Sequence, residues 1–160
     1  MEVINALGPT QPSQIQEMMK PGPEGPIFMV NLLTFKEKAE YEDGRATDLT
    51  GREAYIIYAD AVINLVERHG GRMLFIADVS FLPVGETDEL WDEVAIALYP
   101  DRSALLQMSM SDEWKEIAVH RTAGLKGQLN IETKMPALGR GNTIMTDILQ
   151  SLGHSSQPFD

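Results

Sequence analysis

The order of hydrophobic patterns between residues 27 and 133 is the feature that most constrains the fold. Apolar runs and two-residue alternation indicate strands, whereas apolar side chains three and four positions apart indicate helices. The segments are strand 27–35, helix 50–69, strand 72–84, strand 91–99, helix 101–124 and strand 125–133. This order is the split βαββαβ arrangement of ferredoxin-like folds. We therefore predict an α+β protomer with an antiparallel sheet and both helices on one sheet face.

Capping signals support the helix boundaries. Thr50 and Glu53 have the spacing of a capping box, in which each side chain accepts from the other residue's backbone N–H. Gly70 follows the first helix and suits the left-handed conformation that closes a helix. Asp101 is a good N-cap for the second helix, and Ser111 restarts that helix after a break.

The chain length fits one domain with extensions at both ends. Residues 1–26 are an N-terminal extension, with a short helix at 12–20 and a Pro/Gly linker at 21–26. Residues 27–134 form the ferredoxin-like domain. Residues 135–160 are a C-terminal amphipathic arm, because apolar side chains recur there at helical spacing.

The first three predicted strands are apolar on both faces. Helices cover only one face of such a sheet, and an uncovered apolar face of this size favours association. Two protomers that pack sheet against sheet bury both faces. We therefore predict a homodimer.

Composition excludes several partners. Lys and Arg total 13 against 24 for Asp and Glu, which gives a net charge of −11. This charge repels nucleic-acid phosphates and anionic membrane surfaces. A small-molecule ligand is a better partner for this chain.

The chain has no cysteine, so disulfides, thiolate metal sites and a cysteine nucleophile are absent. The start of the sequence has no signal-peptide pattern, and no apolar run approaches the length of a membrane span. These features predict a cytoplasmic protein.

Several residue strings are distinctive: MVNLLTFK at 29–36, AYIIY at 54–58, Gly70-Gly71, WDEVAIALYPDRSALLQM at 91–108 and HRTAGL at 120–125. Together they resemble an uncharacterised domain-of-unknown-function family of the dimeric α/β-barrel superfamily. The resemblance implies a ferredoxin-like protomer that dimerises through its sheet, with a pocket between sheet and helices. Relatives in that superfamily include monooxygenases, isomerases and haem enzymes, so the fold does not decide the function.

Arg121 is the strongest pointer to a site. It lies about two turns after Trp114 on the apolar face of the last helix, and a buried guanidinium needs a carboxylate, a carbonyl or a ligand anion. Asp92 and Asp78 interrupt apolar strand faces and are the predicted acidic partners. Two interpretations stay open, a structural ion pair and an anion site.

We predict His120, Arg121 and Asp92 as the catalytic group, because a histidine beside the arginine is a candidate general acid or base. The predicted substrate-binding residues are polar or adaptable side chains on buried elements, namely Asn31, Tyr55, Tyr58, Trp91 and Met108. Ordinary core packing is the alternative role for each of them.

Arg102 and Arg45 are predicted to serve the surface. No second histidine has metal-ligand spacing to His120, so we predict no metal and no cofactor. Two functions remain. One is a cofactor-independent oxygenase or isomerase of a small carbonyl or carboxylate compound. The other is a non-catalytic small-molecule-binding or structural homodimer.

Overall fold

The computed structural model describes residues 3–136 and 140–153. Its elements are α1 (Pro12–Met18), β1 (Ile27–Phe35), α2 (Gly51–Arg68), β2 (Arg72–Asp78), β3 (Glu93–Tyr99), α3 (Arg102–Met110), α4 (Asp112–Gly124), β4 (Leu125–Lys134) and α5 (Arg140–Ser151). The predicted βαββαβ order is confirmed, with the second helix divided into α3 and α4. In the described part of the chain, no helix is long and apolar enough to cross a bilayer.

The four strands form one antiparallel sheet in the order β2-β3-β1-β4. In the centre of the sheet, Asn31 of β1 lies between Ala95 of β3 and Asn130 of β4. Two pairs closer to the start of β1, Glu132 lies opposite Met29. Because side chains alternate between the faces of a strand, these residues share the face that carries the helices. We call this the helix face, and the opposite one the outer face.

The main core lies between the helix face and α2 to α4. It combines apolar side chains of the sheet with the inward side of α2, namely Ile27, Met29, Ala97, Tyr99, Tyr58, Val62, Leu65, Val66 and Met108. Full burial of such side chains is worth about 1.5–3 kcal/mol each. The buried side chains Tyr58, Val62, Leu65 and Val66 form the inward stripe of α2.

The predicted caps are confirmed. The Thr50 side chain accepts from the Glu53 N–H, and the Glu53 carboxylate accepts from the Thr50 N–H at 2.7 Å. Asp101 accepts from Ala104 N at 2.8 Å, and Ser111 caps α4. These bonds satisfy backbone donors that have no partner within the helix.

The second strand is shorter than predicted. It ends at Asp78 rather than at residue 84, because β3 begins at Glu93 and Asp78↔Glu93 is the last pair between them. The apolar side chains beyond that point have no sheet to pack on, and Val84 is 84% exposed. Apolar alternation predicts a strand only where a partner strand is present.

The outer face is partly covered by α5. Leu149 of α5 packs with Phe28 of β1 and Leu98 of β3, and Met135 joins this cluster. The predicted C-terminal helix therefore lies on its own domain across its described residues. The predicted C-terminal arm also includes residues 137–139 and 154–160, which lie outside the described residues.

Candidate functional site

A cavity of about 650 Å³ lies between the helix face and the helices. Its floor is the sheet, its wall is formed by α2, α3 and α4, and the segment before α1 lies across it. The lining includes Leu7, Pro9, Gln14, Met29, Asn31, Ala95, Ala97, Asn130, Tyr55, Tyr58, Trp114, Met108 and Arg121. Concave, mostly apolar cavities of about 300–1,000 Å³ are typical of small-molecule sites.

Arg121 reaches this cavity from α4. Its Nη2 donates to the Leu7 carbonyl at 2.9 Å and to Gln128 Oε1 at 2.8 Å. Both acceptors are neutral. Among the described residues, no carboxylate forms an ion pair with Arg121. The half-buried guanidinium therefore has no counterion in the described part of the chain.

The predicted ion pair of Arg121 with Asp92 or Asp78 is wrong. Asp92 precedes β3, and its carboxylate accepts from the Phe35 N–H at 2.7 Å. Asp78 ends β2 and binds Arg52 at 2.7 Å. Both carboxylates are therefore used at strand ends, where a backbone donor or an exposed arginine satisfies them.

Arg102 is also not the surface residue that its position predicts. Only 7% of it is exposed. It forms a two-fold ion pair with Glu132, with both N···O distances 2.7 Å, and it donates to the Glu17 and Lys20 carbonyls at the end of α1. This arginine is therefore neutralised and holds α1 against the sheet.

Three tyrosines line the cavity. The Tyr58 hydroxyl accepts from Trp114 Nε1 at 3.3 Å, and the Tyr99 hydroxyl donates to the Met108 sulfur at 3.7 Å. The Tyr55 hydroxyl makes no hydrogen bond to any described residue. Burial raises the pKa of all three phenols, so they remain protonated and can donate.

The sheet floor carries a polar pair. Asn31 Nδ2 donates to the Met29 and Ala95 carbonyls, and Asn31 Oδ1 accepts from Asn130 Nδ2 at 2.9 Å. The carboxamide oxygen of Asn130 has no partner among the described residues. This free oxygen can accept a hydrogen bond from a ligand.

The predicted site residues divide into two groups. Asn31, Tyr55, Tyr58, Met108 and Arg121 line the cavity together.

The other three predicted residues lie outside the lining. His120 Nδ1 bonds the Tyr41 hydroxyl at 2.7 Å, beside the loop before α2. Trp91 donates to Asn5 at 2.9 Å, and Asp92 bonds Phe35 as described. His120 is next to Arg121 in sequence but points elsewhere, because neighbouring helical side chains diverge by about 100°.

Sequence reasoning missed the polar row of β4, which is Gln128, Asn130 and Glu132. Its signal was present as polar residues alternating with Leu129 and Ile131. Alternation alone does not say which face meets the helices. Reasoning also missed Leu7, which has no signal in the sequence. Within residues 3–136 and 140–153, no group of three or more possible metal ligands was found.

The sheet order, the helices on one face and the cavity between them define an α+β protein with a ferredoxin-like fold. Residues 44–134 match the family described as a domain of unknown function, DUF1330, and the chain belongs to this family. The family resemblance noted in the sequence is thereby confirmed.

Two similar crystal structures are of a protein of unknown function from Rhodopseudomonas palustris and of its methylated form. The first is 30% identical, with a TM-score of 0.73, and covers 83% of this chain and 98% of that chain. The methylated form is 31% identical, with a TM-score of 0.74, and covers 86% and 99%. No curated protein matches the chain.

Proposed function

We propose that the cavity binds a small, partly apolar molecule carrying a carboxylate, and that Arg121 binds the carboxylate. The observation that carries this proposal is the absence of a counterion for Arg121 among the described residues, at the wall of a largely apolar cavity. A charged group in such surroundings is costly unless an opposite charge joins it. A ligand anion supplies that charge.

The donor count of Arg121 supports the same reading. A guanidinium has five N–H donors, and the two described bonds both use Nη2. Nη1 and Nε have no partner among the described residues, and each two-bond fork of a guanidinium pairs one of them with Nη2. A carboxylate accepts two parallel N–H bonds from such a fork, which neutral acceptors do not reproduce. Arg102, which lines the same cavity, is already paired with Glu132 and is no competitor for the anion.

The remaining walls suit an aromatic or branched apolar body. Tyr55 and Tyr58 lie with ring centroids 5.5 Å apart, and Met29, Val62 and Met108 complete this side. Methionine side chains adapt to irregular apolar shapes. Benzoate is therefore a suitable probe, with benzamide as a neutral analogue of the same shape.

Isothermal titration calorimetry tests the proposal. We expect benzoate to bind more tightly than benzamide, and Arg121→Gln to weaken benzoate binding about 10- to 100-fold, since a hydrogen bond to a charged group contributes about 1.5–3 kcal/mol. Arg68→Gln is the matched control, because this exposed arginine pairs with Glu113 outside the cavity. Equal affinity for benzoate and benzamide would refute the proposal.

An oxygenase or isomerase of a small carbonyl compound is the second candidate. It is favoured by the Tyr55 hydroxyl, a protonated donor without a partner among the described residues, which can stabilise negative charge on a substrate carbonyl oxygen. Proton transfer also requires a base. The carboxylates that line the cavity, Glu17 and Glu132, are both engaged by Arg102. Ligand binding is therefore the leading proposal.

We also propose that a second copy of the chain covers the outer face. Beside the area that α5 covers, this face presents apolar side chains that are not fully buried, namely Val30, Leu32, Val94, Ile96 and Ile131. Ile131 is 44% exposed. Light scattering should show a dimer at micromolar concentration, and Ile131→Asp should give a folded monomer. A monomeric parent protein would contradict this proposal.

A further inference from the structure

The segment formed by residues 3–20, here called the N-terminal cover, lies over the cavity and touches Arg121. Ala6 pairs with Gln128 through two backbone hydrogen bonds of 3.0 and 3.3 Å. Asn5 accepts from Trp91, and the Leu7 carbonyl accepts from Arg121. Further along the cover, Arg102 holds the end of α1. The cover is thus attached mainly by polar contacts.

Apolar burial contributes little to this attachment. No residue of α1 is buried, and Ile15 and Met19 are 54% and 66% exposed. Because apolar burial supplies most of the free energy that holds elements together, a segment without it opens at low cost. At Gly8 the cover is open to its surroundings, since nothing lies within 4 Å of the place where a side chain would begin.

The two acceptors on Arg121 differ in mobility. Gln128 is 9% exposed and belongs to β4, whose backbone is paired with β1. Leu7 belongs to the cover. A carboxylate that approaches Arg121 therefore meets one fixed acceptor and one that can leave. The bond to the Leu7 carbonyl is charged on the donor side only, whereas a carboxylate brings the opposite charge and accepts two parallel N–H bonds, so a carboxylate outcompetes the carbonyl.

We propose that the Leu7 carbonyl occupies, on Arg121, the position that the ligand's carboxylate takes. Binding of the carboxylate then releases residues 3–8 from the cavity, while Arg102 keeps α1 in place. The N-terminal cover is thus a displaceable pseudo-ligand, and anion binding and cover opening are one event. This inference rests on the proposed function, because it requires a carboxylate on Arg121.

A disulfide lock tests it. The chain has no cysteine, so Ala6→Cys with Gln128→Cys introduces the only two thiols. Cα atoms of a hydrogen-bonded antiparallel pair lie about 5.5 Å apart, within the range of about 4.4–6.8 Å that a disulfide spans. The reduced form of the same double variant is the matched control, since only the covalent link differs.

We expect the oxidised variant to bind benzoate at least about 10-fold more weakly than its reduced form, a difference of about 1.4 kcal/mol. Because Gln128→Cys also removes the fixed acceptor of Arg121, equal affinities of the two forms overturn displacement when the parent chain also shows no faster exchange of the Ala6 N–H with benzoate; the proposed function would then still stand. If the parent chain binds no benzoate at all, the proposed function fails, and this inference fails with it.

A second measurement uses the unmodified chain. The Ala6 N–H donates to the Gln128 carbonyl, so its hydrogen exchange reports the opening of the cover. Saturating benzoate should speed the exchange of this N–H at least about threefold, and benzamide should leave it unchanged. Unchanged or slower exchange with bound benzoate would show that the carboxylate uses other donors of Arg121, which overturns the displacement.

Discussion

The two arginines of the cavity should respond in opposite ways to the same substitution. Arg102→Met and Arg121→Met each remove a guanidinium and keep an apolar stem of similar length. Arg102 is bound to Glu132 and to the end of α1, whereas both described acceptors of Arg121 are neutral. We therefore expect Arg102→Met to reduce the free energy of unfolding far more than Arg121→Met.

The magnitudes follow from the partners left behind. Loss of one member of a buried ion pair costs about 3–5 kcal/mol. The Glu132 side chain is 27% exposed and regains some water, so about 3 kcal/mol is expected for Arg102→Met. Arg121→Met removes two bonds to neutral acceptors and also an unpaired charge. Hydrogen bonds with one charged partner contribute about 1.5–3 kcal/mol each, and removal of the half-buried unpaired charge offsets most of that, so about 1 kcal/mol is expected.

Urea unfolding at one fixed protein concentration measures this difference. With a slope of about 2 kcal/mol per M, the midpoints of the two variants should differ by about 1 M. The fixed concentration matters because self-association would contribute to the midpoint. Equal losses of stability in both variants would refute the reasoning, since Arg121 would then be a structural residue like Arg102.

Two further changes test the fold around the cavity. A Cβ on Gly124 would overlap the carbonyl oxygen of Gly51, so Gly124→Ala should lower the free energy of unfolding in urea by about 2–3 kcal/mol. Gly8→Ala is the control because open space surrounds Gly8, and a similar loss of stability in this control would contradict the prediction. Burial raises the pKa of the Glu93 carboxyl, although Arg52 beside it acts in the opposite direction. The protonated carboxyl therefore contributes its whole stabilising effect below about pH 4, and this contribution is lost as pH rises through the pKa of the folded state. Glu93→Gln should therefore gain stability relative to the parent between about pH 4 and 7 in urea titrations, and a constant difference across that range would show that burial does not govern this carboxyl.

The fold was predictable because its signals are local. Thr50 and Glu53 fix the start of α2 through bonds within one turn, and Asp101 does the same for α3. Strand β1 is an apolar run interrupted only by Asn31 and Thr34, and it was predicted with its observed limits. Strand β2 was overestimated because its end depends on where β3 begins, which the residues of β2 do not specify.

The site was less predictable because its contacts join distant parts of the chain. The inward direction of Arg121 follows from helical spacing, but its partner Leu7 is 114 positions away. Asp92 looked like a partner by residue type, yet a backbone N–H at the end of β1 satisfies it. Residue type and periodicity predict which side chains need partners. They do not predict which of several acceptors is near.

The family region and the N-terminal cover supply different halves of the proposed anion site. Arg121, its fixed acceptor Gln128 and Tyr55, whose hydroxyl makes no hydrogen bond among the described residues, all lie within residues 44–134, which match the family. Leu7 lies before that region. If the Leu7 carbonyl is the acceptor that a ligand displaces, the charge that binds the carboxylate belongs to the family region and the competing acceptor does not. A family member without such a segment would then bind a carboxylate on the equivalent arginine without first losing a hydrogen bond, and its affinity for the same anion should be higher.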